Sequence, residues 1–307
     1  MLVIDLSHLE FIRISGPDAE KFLQGQVSCD MTQVTLTSSR RGVLCNLKGR
    51  VIADFRIVRY NDDYLLQTQP GMAQKILDTL ARYAVFSKVE LVRDDSITKV
   101  LGVIDANVSD FGAIKLPTTA NAATPLQDAV LLNADETGAR LEFWCTGEHP
   151  LAQQIQKAGQ AGNQQDWLRE ELRAGILHVN ESDSEEFTPQ LLNYDIAGVI
   201  DFRKGCYTGQ EVVARMFYRA TPKKRLYLLS TKEPIPSSAD LMLRIGDAEL
   251  PVQPMSVVEG VDEPNYMMAV LPTEAETAEL ALASAPGEFT AVKLEPLPYT
   301  NRQGAGA

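Results

Sequence analysis

VIADFRIVR (51–59) and DYLLQT (63–68) decide the fold class predicted for this chain. Both stretches are rich in β-branched, aromatic and leucine residues, which predicts two strands separated by a short turn. Upstream, residues 9–15 (LEFIRIS) alternate like a strand, and residues 16–28 are typical of a helix. A second helix is predicted from about 72 to 83. The order strand, helix, strands, helix indicates an α+β unit with ferredoxin-like, antiparallel pairing.

The middle of the chain is also mixed α/β. Strand-like runs dominate residues 97–147, and two helices follow near 149–159 and 164–177. Asn163 is the predicted N-cap of the second helix, because an asparagine side chain accepts hydrogen bonds from the first backbone N–H groups.

The pattern changes after Leu226, where short strands broken by proline and glycine predict a small antiparallel barrel or sandwich. The charge changes at the same place. Residues 203–225 hold seven cations and one acid, Glu211, whereas the chain from Thr231 onward holds twelve acids and four bases. This contrast indicates a boundary near 225–231 and a local site suited to an anion.

The overall composition restricts the class of protein. The 307 residues carry a net charge of −12, and 45% of them are hydrophobic, as expected for a globular protein with a core. An acidic total argues against broad, non-specific nucleic-acid binding. The first residues show no basic segment ahead of an apolar core, and no apolar run approaches the roughly 20 residues of a membrane helix. We therefore expect a cytoplasmic protein without a membrane partner.

The four cysteines, Cys29, Cys45, Cys145 and Cys206, lie far apart and show no C-x-x-C spacing. The three histidines are also scattered. These spacings argue against a structural zinc site or a cluster held by local ligands, so we predict no bound metal. Three of the four cysteines are expected to be small buried hydrophobic residues.

The fourth cysteine lies in the segment RKGCYTGQEVVARMFYR, residues 203–219. Thr208 and Glu211 have the T-x-x-E spacing of a capping box, so a short helix is predicted to follow. A helix amino terminus and the ammonium of Lys204 favour an anion, which predicts a reactive thiol at Cys206. The alternatives are a plain packing turn and an ordinary solvated face for the cations. A cysteine protease or dithiol redox site has little support, since no histidine or second cysteine is near in sequence.

The motif KGCYTGQEVVAR (204–215) resembles the signature of the YgfZ family, folate-binding proteins related to the aminomethyltransferase (T-protein) of the glycine cleavage system. The resemblance extends from about residue 6 to 300 and includes SGPDAEKFLQGQVSCD, KGRVIADFR, RYAVFSKVEL, NQQDWLREELRAGI and EPLPY. It implies a ring of subdomains around a folate cavity. These are an α/β region of two ferredoxin-like subdomains (1–224) and a C-terminal antiparallel β-barrel (225–300). The remaining residues, 301–307, are predicted to be a disordered tail.

The resemblance also implies a function. Members of this family support the assembly or repair of iron–sulfur enzymes in a folate-dependent way, including the enzymes that thiomethylate tRNA. It implies a reduced folate such as tetrahydrofolate as cofactor and these enzymes as partners. Carried over residue by residue, it implies a functional thiol at Cys206, with Lys204 and Tyr207 beside it, and folate contacts at Trp167, Gln210, Glu211 and Arg215. A second family tryptophan falls at Leu9, which offers apolar area without a stacking face.

Two other functions are open. An aminomethyltransferase would need a carboxylate soon after the strand that ends near Thr68, and the segment 69–77 (QPGMAQKIL) contains none. We therefore expect an accessory protein rather than that enzyme. A direct tRNA-binding module could use the basic segment 203–225. The acidic total weighs against it, and we expect no stable direct nucleic-acid complex.

Overall fold

The computed structural model describes residues 1–106, 108–134, 140–235, 241–260, 263–285 and 288–299. The chain forms two compact units, and each is assembled from several segments of sequence. The first comprises Met1–Trp167, His178–Glu186 and Val199–Gln210. The second comprises Leu168–Leu177, Phe187–Gly198 and the chain from Glu211 onward. The predicted boundary at 224/225 falls at the first residues of a strand, and the predicted tail at 301–307 lies outside the described residues.

The described residues of the first unit form eleven strands in two sheets. In chain order they are β1 Leu2–Asp5, β2 Glu10–Ser15, β3 Arg40–Cys45, β4 Val51–Tyr60, β5 Asp63–Thr68, β6 Glu90–Arg93, β7 Ile97–Ile104, β8 Ala123–Leu126, β9 Ala129–Asn133, β10 Arg140–Thr146 and β11 Gln160–Ala161. Its helices are α1 Ala19–Gln24, α2 Met72–Ala81, α3 Pro150–Ala158 and the beginning of α4, Gln164–Arg173. Short 3₁₀ turns lie at Met31–Gln33, Ala84–Phe86 and Val108–Phe111.

One sheet has the strand order β3-β4-β5-β2-β6 and is antiparallel throughout. The two strands that decide the predicted fold class are β4 and β5, which pair from Arg56↔Gln67 to Tyr60↔Asp63. Helix α2 buries Ile76 and Leu80 in the core of this sheet. The predicted antiparallel α+β arrangement is therefore confirmed.

Helix α1 is shorter than the predicted 16–28 for a local reason. Gly16 has a left-handed backbone with φ of +104°, and the helix ends at Gly25. Helical spacing predicts Val27 on the same helix face as Leu23, but Val27 instead makes a β-bridge with Leu44. A residue that a longer helix would have contained therefore pairs with the sheet instead.

The other sheet of the first unit has the order β11-β1-β7-β10-β9-β8. β1 pairs in parallel with β11, and the remaining pairs are antiparallel. The N-cap prediction is confirmed, because Asn163 Oδ1 accepts hydrogen bonds from the N–H groups of Gln165 at 2.8 Å and Asp166 at 3.1 Å. Helix α4 stops at Arg173 rather than 177, since Gly175 has a left-handed φ of +70°.

The second unit contains helix α5 (Gln210–Arg219) from Glu211 onward and one antiparallel sheet. Its strands are β12 Lys224–Thr231, β13 Met242–Ile245, β14 Ala248–Pro251, β15 Pro254–Val258, β16 Asn265–Pro272, β17 Leu280–Ala285 and β18 Glu288–Glu295, with a 3₁₀ turn at Thr273–Glu276. The strand order is β14-β13-β17-β18-β12-β16-β15. The antiparallel β-structure predicted as a C-terminal barrel or sandwich is confirmed, and its described strands form this one sheet. The sequence did not predict β17, because its residues (LALASA) are small residues and leucine rather than the β-branched and aromatic residues that favour strands.

Membrane insertion by a helix has no support here. Within the described ranges, every helix is too short or too polar to cross a bilayer.

Candidate functional site

The thiol of Cys206 differs from the other three in its exposure. Cys206 is exposed, whereas Cys29, Cys45 and Cys145 are at most 3% exposed. Burial raises the pKa of the Cys29 and Cys45 thiols to about 12 and also raises that of Cys145. These three thiols stay neutral and act as the predicted core residues. Cys206 is the thiol that can react with a partner in solution.

Lys204 fixes the turn that carries this thiol. Its ammonium donates to three backbone carbonyls at and just after the end of α1, those of Gln24 at 2.8 Å, Val27 at 2.5 Å and Cys29 at 2.8 Å. Burial lowers the pKa of Lys204 to about 8, which leaves the side chain protonated at neutral pH with three N–H donors for three acceptors. The structure therefore gives Lys204 a positioning role. Its expected participation in the chemistry of the thiol stays a prediction.

Tyr207, the residue directly after Cys206, is the buried residue of this turn. The residue is 7% exposed, and its ring lies 5.3 Å from the Lys204 ammonium. Its hydroxyl is buried and has no hydrogen-bond partner among the described residues, and burial raises the pKa of the phenol well above its ordinary value. A buried donor without an acceptor is costly, by roughly 1–3 kcal/mol. Such a group is often satisfied by a bound ligand or water.

Gly209 brings the turn against the β3–β4 connection. Its φ of +82° is a left-handed conformation, and a Cβ atom at this position would lie 2.4 Å from the carbonyl oxygen of Asn46. Only glycine satisfies both conditions, because it carries no side chain. The close approach holds the residues after Cys206 at a fixed position on the sheet.

The predicted capping box of Thr208 and Glu211 is wrong. The Thr208 hydroxyl donates to Gln26 Oε1 at 3.0 Å, and Gln210 Oε1 accepts from the Tyr207 N–H at 2.9 Å. Helix α5 accordingly begins at Gln210, one residue before Glu211. One half of a capping box is present one residue earlier, as the bond from the Tyr207 N–H to Gln210 Oε1. Thr208 takes no part in it, because its hydroxyl donates to Gln26, which is distant in sequence.

Glu211 and Arg215, two of the predicted folate contacts, belong to the second unit. Both side chains are exposed on α5, where they lie four residues apart on one face. Neither forms an ion pair with any residue in the described ranges. Their contact with a folate stays a prediction.

Trp167 and Leu9 meet in one core cluster of the first unit. Trp167 is 4% exposed, and the guanidinium of Arg140 lies over its ring, 4.9 Å from the centroid. A Cβ atom at Gly102 would come within 2.6 Å of Trp167 Cε3, so strand β7 packs directly against the ring. These contacts are those of a core tryptophan. A stacking contact between its face and a pterin stays a prediction that the packing does not favour.

The sequence did not reveal the carboxylates beside the end of β5. Gly71 has φ of +83°, and the Glu181 carboxylate lies 4.0 Å from where a Cβ atom of Gly71 would be. Nearby, Asp54 Oδ2 pairs with His178 Nδ1 at 2.7 Å, and the carbonyl of Asp54 accepts from the Thr68 hydroxyl at 3.1 Å. The segment 69–77 has no acid of its own, but residues 178–186 bring one to it. No local pattern could have shown this, because the contact joins residues 110 positions apart.

One feature of the first unit fits a bound reduced folate. The orphaned Tyr207 hydroxyl is a buried polar atom that a ligand acceptor could satisfy. Trp167 supplies apolar surface but no open face. In the described part of the chain, no three histidine, cysteine or acidic side chains are grouped as a metal site requires.

Comparisons with known proteins identify relatives of the whole chain. Residues 1–105 match the model of the GCVT N-terminal domain. The chain is 31% identical to the "tRNA-modifying protein YgfZ" of Klebsiella pneumoniae (strain 342), over 94% of this chain and 89% of that protein. Proteins of the same name from Edwardsiella ictaluri and Photorhabdus laumondii are 29% and 28% identical, over 95% and 98% of this chain and 90% and 93% of theirs.

A solved structure shows the same fold. The crystal structure of glycine cleavage system aminomethyltransferase T from Bartonella henselae matches with a TM-score of 0.71 and 19% identity. The match covers 97% of this chain and 85% of that one. At this identity the likeness concerns the fold alone.

Proposed function

The chain belongs to the YgfZ family of tRNA-modifying proteins, and we propose that it binds a reduced folate and supports iron–sulfur enzymes that thiomethylate tRNA. In this proposal Cys206 is the functional thiol, and the partners are the tRNA thiomethyltransferases. The protein acts in the cytoplasm as an accessory factor in the assembly or repair of those enzymes.

The observation that carries the proposal is the exposure of Cys206 in an otherwise fixed turn. An exposed thiol ahead of a helix is accessible to a partner or to a ligand. Three carbonyl bonds to Lys204 and the tight contact at Gly209 reduce the conformational freedom of the turn. The thiol is therefore presented in a defined position, and a plain packing role would instead have buried it.

In this proposal each residue near Cys206 has a separate role. Lys204 positions the turn, and the buried Tyr207 hydroxyl is available to donate to a ligand acceptor. Gln210 supports the Tyr207 backbone, while Glu211 and Arg215 offer exposed charges of both signs, the cation being suited to the glutamate tail of folate. A bound reduced folate would supply a carrier for one-carbon units. Each exposed charge contact would contribute at most about 1 kcal/mol.

The test is complementation with Cys206→Ala in cells that lack the protein, with thiomethylated nucleosides in tRNA as the readout. We expect loss of the modification although the purified variant unfolds at the same urea concentration as the parent. Arg203→Ala is the matched control, because Arg203 is exposed in the same turn and only its backbone N–H makes a described contact. A stable Cys206→Ala variant that restores normal modification would refute the role of the thiol.

A second candidate, aminomethyl transfer, is favoured by the carboxylate that Glu181 places beside Gly71. A carboxylate after this strand is the feature whose absence from 69–77 argued against that enzyme. The discriminating measurement is turnover with aminomethylated lipoyl carrier protein and tetrahydrofolate. Turnover that is abolished in Glu181→Gln would establish the enzyme, whereas no turnover in the parent protein leaves the accessory function as the conclusion.

A further inference from the structure

The carboxyl end of α5 carries an exposed group of aromatic and basic residues. This α5 terminus patch consists of Phe217, Tyr218, Arg219, Lys223 and Lys224, all in the second unit. Tyr218 is 67% exposed and Phe217 is 39% exposed, and their ring centroids lie 5.0 Å apart in an edge-to-face arrangement. Few large aromatic side chains in the described ranges are so accessible, and these two are adjacent to three cations.

The three cations are not used within the described part of the protein. Arg219, Lys223 and Lys224 form no ion pair with any carboxylate in those ranges. Yet the chain has twelve more acids than bases, so carboxylates are abundant elsewhere. A group of uncompensated cations on an acidic protein is a local site for an anion. Five residues separate Arg219 from Lys224, so their Cα atoms are at most about 18 Å apart and can reach one ligand.

We propose that the α5 terminus patch binds an unpaired stretch of RNA. Phosphates would contact the three cations, and bases would stack on the accessible rings of Tyr218 and Phe217. The exposed rings favour RNA over an acidic protein, which would use the cations and leave the rings in water. They also favour unpaired over duplex RNA, because a duplex hides the faces of its bases.

This inference adds a direct RNA contact to the proposed function and does not depend on it. Neither Cys206 nor a folate takes part. The contact is expected to be weak and sensitive to salt, since three phosphate contacts give a slope of only about −2 in log affinity against log salt for a single strand. A weak contact of this kind agrees with the expectation that no stable nucleic-acid complex forms.

The test uses the full-length protein and a fluorescein-labelled single-stranded RNA of about twelve nucleotides, within the roughly 4–16 nucleotides of comparable sites. Fluorescence anisotropy is measured across a salt series. We expect a slope near −2 that falls toward zero in the triple variant R219Q/K223Q/K224Q. Tyr218→Ala should weaken binding by at least about fivefold, and Tyr218→Phe should retain the affinity of the parent, because it keeps the stacking face.

The matched control is K21Q/K115Q/K157Q, which removes three exposed cations of the first unit and should bind like the parent. Cys206→Ala should also bind like the parent, so failure of the proposed function would not affect this result. Equal affinity for a labelled polyglutamate would show that the patch docks acidic proteins and would overturn the proposal. An unchanged slope in the triple variant, or equal affinity for the duplex form of the RNA, would do the same.

Discussion

Replacement of Gly209 by alanine tests whether the turn after Cys206 is held by the contact with the β3–β4 connection. Two separate penalties are expected. A residue with a side chain at φ of +82° costs about 1–2 kcal/mol relative to glycine. A methyl group 2.4 Å from the Asn46 carbonyl oxygen must displace backbone atoms, and overpacking of this kind costs about 1–3 kcal/mol.

The two penalties can be separated with glycines from the same unit. Gly147 has φ of +61° and nothing within 4 Å of the place that a methyl group would take, so Gly147→Ala should lose only the conformational part, about 1–2 kcal/mol. Gly205 has neither feature, so Gly205→Ala should change stability by less than about 0.5 kcal/mol or stabilise slightly through the unfolded state. The expected order of unfolding free energies is therefore Gly205→Ala above Gly147→Ala above Gly209→Ala.

The assay is urea unfolding of the three purified variants, followed by tryptophan emission, since both tryptophans lie in the first unit. Gly209→Ala should lose about 2–5 kcal/mol in total. If it loses no more than Gly147→Ala, the close approach to Asn46 does not constrain the turn. Cys206 would then not be held in a defined position by this contact.

Three further predictions concern the same turn and the folate contact. Ellman's reagent should modify only the Cys206 thiol of the folded protein rapidly, and all four thiols only in urea. Loss of the fast-reacting thiol in Cys206→Ser would confirm that it belongs to Cys206. Several fast-reacting thiols in the parent protein would contradict the burial of the other three cysteines. Because burial holds the pKa of Lys204 near 8, below its unfolded value, the folded state binds fewer protons from about pH 8 to 10.5, so this group makes stability increase with pH across that window. Lys204→Met should abolish the increase in urea titrations, and an identical pH profile for the two proteins would refute it. Tetrahydrofolate quenches Trp167 emission in a Trp144→Phe background only if the folate reaches the ring, a contact that the packing of Trp167 against Arg140 and Gly102 disfavours; unchanged emission at saturation removes Trp167 from the folate site.

The sequence predicted those elements whose signal is local. Strands β4 and β5 follow from their β-branched and aromatic content, and the Asn163 cap follows from one asparagine ahead of an amphipathic run. Strand β17 was missed, because its small residues carry no strand signal of their own and β17 forms by pairing with β13 and β18. For β4, β5 and the cap the residue types decided the local structure, whereas β17 depends on its neighbours in the sheet.

The details of the site depend on contacts between distant segments, which no local pattern contains. The T-x-x-E spacing favours a cap at Thr208, yet Gln26 takes its hydroxyl across 182 positions. Lys204 neighbours the thiol in sequence, yet its three acceptors lie 175 to 180 positions away. The resemblance implies a functional thiol at Cys206, which stays a prediction, and the structure adds that Cys206 is exposed while the other cysteines are not. Glu181 appeared as a candidate only when the fold brought it beside Gly71.

The acceptors of the Lys204 ammonium have a consequence for how this protein tolerates change. All three are main-chain oxygens, so the side chains of Gln24, Val27 and Cys29 can be replaced without removing any of these bonds, provided that the path of the chain is kept. The lysine has no such freedom. Arginine would bring a flat, forked group in place of a compact one with three diverging donors. Substitutions at the three acceptor residues should therefore keep these hydrogen bonds, whereas replacement of the lysine should remove them.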